Sequence, residues 1–440
     1  MMRSSRGILF LAAVFLVTAA ALRPPVRQQE LRVLITARNM VENRDPLHLE
    51  FQNRPRYRKP PFPYWAAAIP FGLTGLHQSV MAGRLFFVAG TVLMLHVLMR
   101  NTGENGLWAG ICLLSTYGIW RFGSLAETDM LNILGIVLAF AGWEKRSGWL
   151  SATGMSVAFL SKGPAGLVIP LISFLVLQTK QSLNLRYWLT AVIPSLLCAG
   201  AWTGFLYLNP EARVALANEL HDTFINTAHE NPAAYYLYTL PLMMLPALLL
   251  CLAAPKQLRR ATLSTTPVVW FAITFVLLTL TVSKQNHYAL MLMPPAAWIL
   301  GDILSKIQTQ RSLKILGLLL MLATLAEIPR NRFEADAISA RFLKNARPKV
   351  ADAPMLHVVG VNSARFDFHL GRHVENTDSA THALNRAAPG DAILVVQRPE
   401  HFDAWEHPNP PLMEHDDDQW IRRMYRASST STLEFTSEHH

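Results

Sequence analysis

An ionisable side chain at the edge of an apolar segment is expensive to keep there, so it is a candidate for function. Lys162 in FLSKGPAGLVIP and Lys284 in SKQNHYALMLMPPAAW are two such residues, and Asp129 stands with Glu127 at the start of another apolar run in LAETDM. A further concentration of charge is the polar stretch from Gln29 to Trp65, which holds Glu30, Arg32, Arg58 and Lys59 and closes with the proline-punctuated KPPFPYW. Carboxylates suit the deprotonation or orientation of a hydroxyl, and lysines and arginines suit the neutralisation of a departing phosphate. Each residue also has a plainer reading. Thr128 and Asp129 make good helix caps that complement the helix dipole. Lysines at span ends snorkel to the interface, and loop arginines bind headgroups.

These residues are set among elements that read as membrane spans. The chain of 440 residues is 51% hydrophobic and 16% charged, with a formal charge of +10. That balance points to a polytopic membrane protein. The cations fall mostly in short loops between apolar runs, which fits lipid headgroups and topology rather than nucleic acid. Cys112, Cys198 and Cys251 lie inside apolar runs without metal or disulfide spacing and read as packing residues. The N-terminal run after MMRSSRG has no clear small-residue cleavage site and is expected to be an uncleaved first helix.

Apolar segments fall near 8–22, 79–99, 106–120, 128–143, 149–161, 164–178, 187–208, 236–254, 266–282, 287–305 and 313–328, giving a bundle of about 10–11 spans. If 149–161 and 164–178 are one helix interrupted at SKGP, Arg3, Arg6, Arg100, Lys145, Arg146, Lys180, Arg186, Lys256 and Lys306 share one side, cytoplasmic by the positive-inside rule. The first loop, 23–65, the turn RFGSLAETD, the stretch from Asn209 to Tyr235, SKQNH and everything after Arg330 then share the other side. The first loop breaks the charge rule, which suggests that its cations serve an anionic ligand. Within it, Leu31, Leu34, Ile35 and Val41 recur at helical spacing, predicting an amphipathic helix at the interface; Pro60, Pro61 and Pro63 end regular helix, and Tyr64 and Trp65 suit the headgroup level. After Arg330 the runs MLHVVGV and AILVVQ, with turn signals at APGD and HPNPP, predict a small α/β domain over 340–440 outside the membrane. The fold class is therefore mainly α, a transmembrane bundle over 1–335 with a C-terminal α/β domain.

In combination and in this order, the first-loop pattern ending RYRKPPFPYW, AGRL at Arg84, LAETDM, FLSKGPAGLVIP, AHENPAAYYLYTLP at His229 and SKQNHYALMLMPPAAW resemble the C-type-fold membrane glycosyltransferases. The branch is that of protein O-mannosyltransferases and the bacterial lipid A aminoarabinose transferase. The similarity covers about the first 330 residues. It implies a polyprenyl-phosphate-sugar donor, a lipid or cell-envelope glycan acceptor, a bacterial inner-membrane location and periplasmic catalytic loops, with no nucleotide and no nucleic acid. By this resemblance Glu30, Asp129 and Glu127 are the catalytic candidates. Arg58, Lys59, Arg84, Lys162 and Lys284 are candidates for the donor phosphate, and Arg32, Tyr64, His229 and His287 for the acceptor or for orientation. Two departures stand out. The family pattern has Asp then Glu where this chain has Gln29 and Glu30, and an amide cannot take up a proton at neutral pH. Relatives usually have Glu where Arg58 stands, and that Glu can help hold a divalent metal cation with a histidine matching His229; the resemblance implies such a cation, and Arg58 departs from its ligand set. The competing reading is a non-catalytic polyprenyl-phosphate binding or transport protein on the same scaffold.

Overall fold

In the computed structural model the described residues are 2–23, 27–52, 54–180, 183–214, 217, 231–252, 262–304 and, in short stretches, parts of 315–426. The chain divides into two compact units. One comprises Met1–Arg23, Thr36–Glu50 and Pro55–Ile328, and the other Pro24–Ile35, Phe51–Arg54 and Pro329–His440.

The helices in chain order are α1 (Met2–Leu22), α2 (Gln28–Asn43), α3 (Phe62–Thr74), α4 (Val80–Asn101), α5 (Gly106–Leu114), α6 (Tyr117–Phe122), α7 (Thr128–Glu144), α8 (Gly148–Lys162), α9 (Ala165–Gln178), α10 (Leu185–Leu208), α11 (Tyr235–Met243), α12 (Ala247–Leu252), α13 (Thr265–Leu280) and α14 (Met293–Leu304). The two-residue strands β1 (Glu50–Phe51) and β2 (Arg54–Pro55) lie in the first loop. Local chemistry sets many of the boundaries. Ser79, Ser147 and Asn184 cap α4, α8 and α10 by accepting from the N–H of Ala82, Leu150 and Tyr187. Gly75, in the left-handed region at φ 67°, closes α3.

Among the described residues three helices are long and apolar enough to cross a membrane, namely Ser5–Leu22 of α1, α4 and α10; α9 and α13 are shorter apolar helices. The run read as 106–120 is broken into α5 and α6, and 236–254 into α11 and α12. The stretch around SKGP is not one interrupted helix. It is a hairpin, α8 and α9 joined at Gly163, whose φ of 95° belongs to glycine. A Cβ on Gly166 would lie 2.4 Å from the backbone of Ala158, so the chain turns straight back on itself. The same-side placement of Lys145, Arg146 and Lys180 follows from that hairpin, because α8 and α9 each traverse the bundle.

Among the described residues α7 and α8 pack backbone to backbone. They run antiparallel, with a Cβ on Gly135 meeting Ala158 N at 2.4 Å and one on Gly154 meeting Ala139 N at 2.2 Å. Small residues at such contacts let backbones close on each other where apolar burial gives little discrimination between helix and lipid. Asn132 donates to the Ala158 carbonyl at 2.9 Å, and Ser151 to that of Ala139 at 3.0 Å, in the same seam. α9 returns alongside, with Phe174 stacked on Trp143 and edge-on to Phe140, and Trp270 of α13 stacks on Phe140.

These registers fix the two ends of the bundle. At one end Thr266 donates to Glu144, and Asp302 accepts from Asn105 and from the Ser264 N–H, each at 2.9 Å. At the other end lie the start of α7, the end of α8, the start of α4 and the 3-10 segment Asn286–Leu292 that leads into α14.

The first-loop helix is present as α2, with Gln28, Gln29, Glu42 and Asn43 exposed and Arg32 and Asn39 half-buried. Leu31, Val33, Leu34, Ile35, Ala37 and Arg38 are all buried. Gln28, Arg32, Asn39 and Asn43 recur on one side of the helix, flanked by Gln29 and Glu42, and form a polar stripe opposite the buried apolar residues.

In the second unit a five-stranded sheet has the order β4-β3-β5-β7-β6, from strands β3 (Leu356–Val359), β4 (Glu375–Thr377), β5 (Ala392–Gln397), β6 (Met413–Glu414) and β7 (Ile421–Arg426). β3 pairs parallel with β4 and β5, and β7 antiparallel with β5 and β6. Leu356, Val358, Phe366, Leu394 and Met424 build the core on one face, with Phe366 from the short helix α15 (Ala364–Leu370). Asp391 accepts from the N–H groups of Met355 and Ala388 at 3.0 and 2.7 Å, tying the entry of β5 to that of β3.

Candidate functional site

The site is assembled from the ends of α7 and α8 and two loops. Asp129 occupies the first turn of α7, where the exposed N–H groups and the helix dipole favour a carboxylate. Its own partner is Lys162, the last residue of α8, whose Nζ donates to Asp129 Oδ1. Both are largely withdrawn from water, with side-chain exposures of 5% for Asp129 and 10% for Lys162. Charges withdrawn in this way have to be paired, since the desolvation of either alone is severe.

Lys59 and His287 lie within electrostatic reach of Asp129. Lys162 Nζ also lies over the ring of Tyr288, 4.3 Å from its centroid, and His287 meets that ring edge-on at 4.7 Å. The result is a buried carboxylate paired with Lys162, with Lys59 and His287 within electrostatic reach. Such a cluster can orient a hydroxyl at the carboxylate and receive an anionic group on the cations beside it.

Lys59 is delivered by the first loop. Tyr57, two residues earlier, is buried with its ring 6.1 Å from that of Phe205 near the end of α10. Burial pushes the Tyr57 hydroxyl above its ordinary range, and Glu211 adds to the effect. Pro60 and Pro61 follow Lys59 and lead into α3, so the lysine sits between an anchored aromatic and a stiff entry to a helix. Tyr64 is buried in the first turn of α3, and Trp65 donates to the Pro46 carbonyl at 2.7 Å.

The other candidates fall as follows. Glu127 is 2% exposed and holds the extended position just ahead of α7, two residues from Asp129. Lys284 is buried in the loop that carries His287, and its Nζ donates to the Thr281 carbonyl at 2.7 Å. Asn231 donates to the carbonyl of Lys284 itself. Arg84 is fully buried, and its Nη1 donates to the carbonyls of Ala20 and Arg23 at 2.8 and 2.6 Å. This is how a cation completes the C-terminal end of a helix, here α1, so the structure gives Arg84 a structural task. Arg58 is exposed. Glu30 and Arg32 belong to the second unit, with Glu30 fully buried and the neighbouring Gln29 exposed. His229 lies outside the described residues.

The structure thus brings Asp129, Lys162, His287 and Lys59 together. It also reveals two features the sequence reading missed. Tyr288 had a signal, its adjacency to His287 in SKQNHY. Arg23, which donates to the Arg121 carbonyl at 2.9 Å and to Ser124 Oγ at 3.4 Å, braces the turn before Glu127 and looked like an ordinary basic residue after a span. Among the described residues no three of His, Cys, Asp and Glu stand together as metal ligands.

No protein-family model matches the chain. An uncharacterised protein of Aquifex aeolicus is 26% identical over 319 residues, 66% of this chain and 62% of that one. The undecaprenyl phosphate-alpha-4-amino-4-deoxy-L-arabinose arabinosyl transferase of Shewanella sediminis is 27% identical over 306 residues, 62% of this chain and 54% of that one. The chain thus matches less than two thirds of the length of either relative. Among solved structures, ArnT from Cupriavidus metallidurans bound to undecaprenyl phosphate superposes with a TM-score of 0.77 at 16% identity, covering 95% of this chain and 97% of that one. Its apo state gives 0.73 at 15% identity with the same coverage. The chain has the C-type fold of membrane glycosyltransferases, in the form seen in these two ArnT structures.

Proposed function

We propose that the protein is an integral-membrane glycosyltransferase that moves a sugar from a polyprenyl-phosphate-linked donor to a hydroxyl of a lipid or cell-envelope glycan. The observation that carries the reading is the Asp129–Lys162 pair, flanked by Lys59 and His287, at one end of a bundle with this fold. The undecaprenyl phosphate in the ArnT structure and the undecaprenyl phosphate-sugar in the name of the Shewanella relative support the donor class. The reading includes a bacterial inner-membrane location with the site end of the bundle facing the periplasm. It also includes a division into a transmembrane domain over 1–335 and a periplasmic α/β domain over 340–440.

In the reaction the acceptor oxygen attacks the anomeric carbon of the donor sugar while the bond from that carbon to the phosphate oxygen breaks. Asp129 takes the hydroxyl proton as the new C–O bond forms. The bonding pair leaves on the phosphate, and Lys162 and Lys59 carry its charge. His287 orients the acceptor beside the carboxylate. Glu127 is the other carboxylate at this end proposed to assist, with Arg58 and Lys284 on the phosphate side and Tyr64 and His229 on the acceptor side.

The test is to replace Asp129 by Asn and follow envelope glycolipids by mass spectrometry. Loss of one sugar-modified species is expected, and an unchanged glycolipid profile would sink the reading. A second reading, a polyprenyl-phosphate carrier without catalysis, is favoured by the exposed amide of Gln29 where the family pattern has Asp. It is separated by incubating purified protein with a sugar-loaded carrier. A transferase releases free polyprenyl phosphate when acceptor is added, and a carrier protein releases none.

A further inference from the structure

We infer that Tyr288 is a positioning residue, whose ring face holds the Lys162 ammonium at the point where Asp129 and the donor's leaving phosphate compete for it. The inference rests on the transferase reading for the identity of that phosphate.

A lysine head is a compact point charge on a flexible four-carbon stem, and Lys162 is followed by a glycine in the left-handed region. Left to itself such a head follows the nearest anion, which here is Asp129. While the two are paired, each neutralises the other. The carboxylate is occupied as an acceptor, and the ammonium is partly spent as a site for phosphate. A phosphate arriving next to Lys162 must draw the ammonium off Asp129, and the carboxylate then becomes available to the acceptor hydroxyl.

That exchange works only if Lys162 stays in place when it changes partner. The Tyr288 ring, 4.3 Å beneath Nζ, supplies the means, because a π face attracts a cation without cancelling its charge. It localises the ammonium equally well beside a carboxylate or a phosphate. The ring is itself held. The Tyr288 N–H donates to the Gln285 carbonyl at 3.1 Å, His287 abuts the ring edge at 78° to its plane, and Ala289 and Leu290 follow as buried residues. Lys59 and His287 are the other groups within electrostatic reach of Asp129, so both would share the field felt by an incoming phosphate.

The experiment uses the full chain in lipid nanodiscs and titrates undecaprenyl phosphate, read by native mass spectrometry, for the wild type, Tyr288→Phe, Tyr288→Leu, Lys162→Met and the Tyr288→Leu/Lys162→Met double variant. A phenylalanine series at position 288 with increasing ring fluorination keeps the shape of the ring while draining its face, and covers the case in which Tyr288→Leu does not fold. Binding by Tyr288→Phe is expected within about twofold of the wild type, and Tyr288→Leu is expected about tenfold weaker. The fluorinated series should weaken stepwise, and Tyr288→Leu should add little once Lys162 is already Met. Equal loss in the presence and absence of Lys162, loss in Tyr288→Phe as large as in Tyr288→Leu, or binding that ignores fluorination would each overturn the inference. Acylation of the Lys162 amine without lipid, followed by peptide mass spectrometry, gives a second readout. It should rise several-fold in Tyr288→Leu and not in Tyr288→Phe, and an unchanged rate counts against the positioning role. If the wild type binds no undecaprenyl phosphate, the transferase reading fails, and the acylation rates still decide the role of Tyr288.

Discussion

Asp129 and Lys162 show how differently one residue reads in a sequence and in a fold. Asp129 stood out as a carboxylate at a span edge, and Lys162 as a cation in a run otherwise poor in charge. Nothing in their spacing of 33 positions says that they touch. The pairing depends on α7 and α8 running antiparallel in one particular register, and register between helices is set by small residues whose significance local pattern does not carry. Replacement of Asp129 by Asn should lower transfer by about 10²–10⁴-fold in initial-rate assays, the range for loss of a general base, while undecaprenyl phosphate binding persists. Position 29 gives a second test. Gln29 is exposed and Glu30 beside it is fully buried. If Asp129 or Glu30 already supplies the base, Gln29→Asp should change kcat by less than about twofold, far below the 10²–10⁴ of a missing base; a large gain would show that the amide had disabled the enzyme.

Elements rather than single side chains decide how the charges are held. The α7–α8 seam leaves no room at Gly154, where a Cβ would meet Ala139 N at 2.2 Å. Gly154→Leu should therefore separate the helices and destabilise the protein by at least about 1–3 kcal/mol, the cost of overpacking a filled contact. A fall in the thermal midpoint of the purified protein, with a parallel loss of transfer, would check it. Arg84 makes the opposite case, a residue that looked like a ligand for phosphate and is engaged with the end of α1. Arg84→Met should cost about 1–3 kcal/mol in stability through carbonyls left without donors, and it should weaken undecaprenyl phosphate binding far less than Lys59→Met does. Most helices were legible as long apolar runs, but α3 was not: Pro60, Pro61 and Pro63 read as an end to regular helix, whereas Pro63 sits in the first turn of Phe62–Thr74, where a proline costs no helical hydrogen bond. Nor were the breaks. The hairpin at Gly163 reads from sequence as an interruption, since SKGP is equally compatible with a kink and with a reversal. The first-loop helix was legible as a helix with an apolar and a polar side, because its spacing carries both.

At the scale of the molecule, the charged residues separate along the bundle. Lys145 and Arg146 follow the Glu144 end of α7, whereas Asp129, Lys162, His287 and Lys59 gather at the other end. The sequence foresaw this separation from charge counts and loop alternation, although through a wrong picture of the stretch between 149 and 178. Cysteine accessibility tests its orientation. With the native cysteines replaced, a membrane-impermeant maleimide should label Arg58→Cys in intact spheroplasts and should label Arg146→Cys only after lysis; both positions are exposed. The reverse pattern would turn the bundle over and remove the periplasmic assignment. The short link Lys145–Ser147 between α7 and α8 bears on biogenesis. Asp129 and Lys162 are the two open ends of a single helical hairpin, so their union is available as soon as residue 162 has left the ribosome, long before His287 exists. A newly made chain can thus enter the bilayer with this acid already matched to its base, and the later segments are added around a neutral pair.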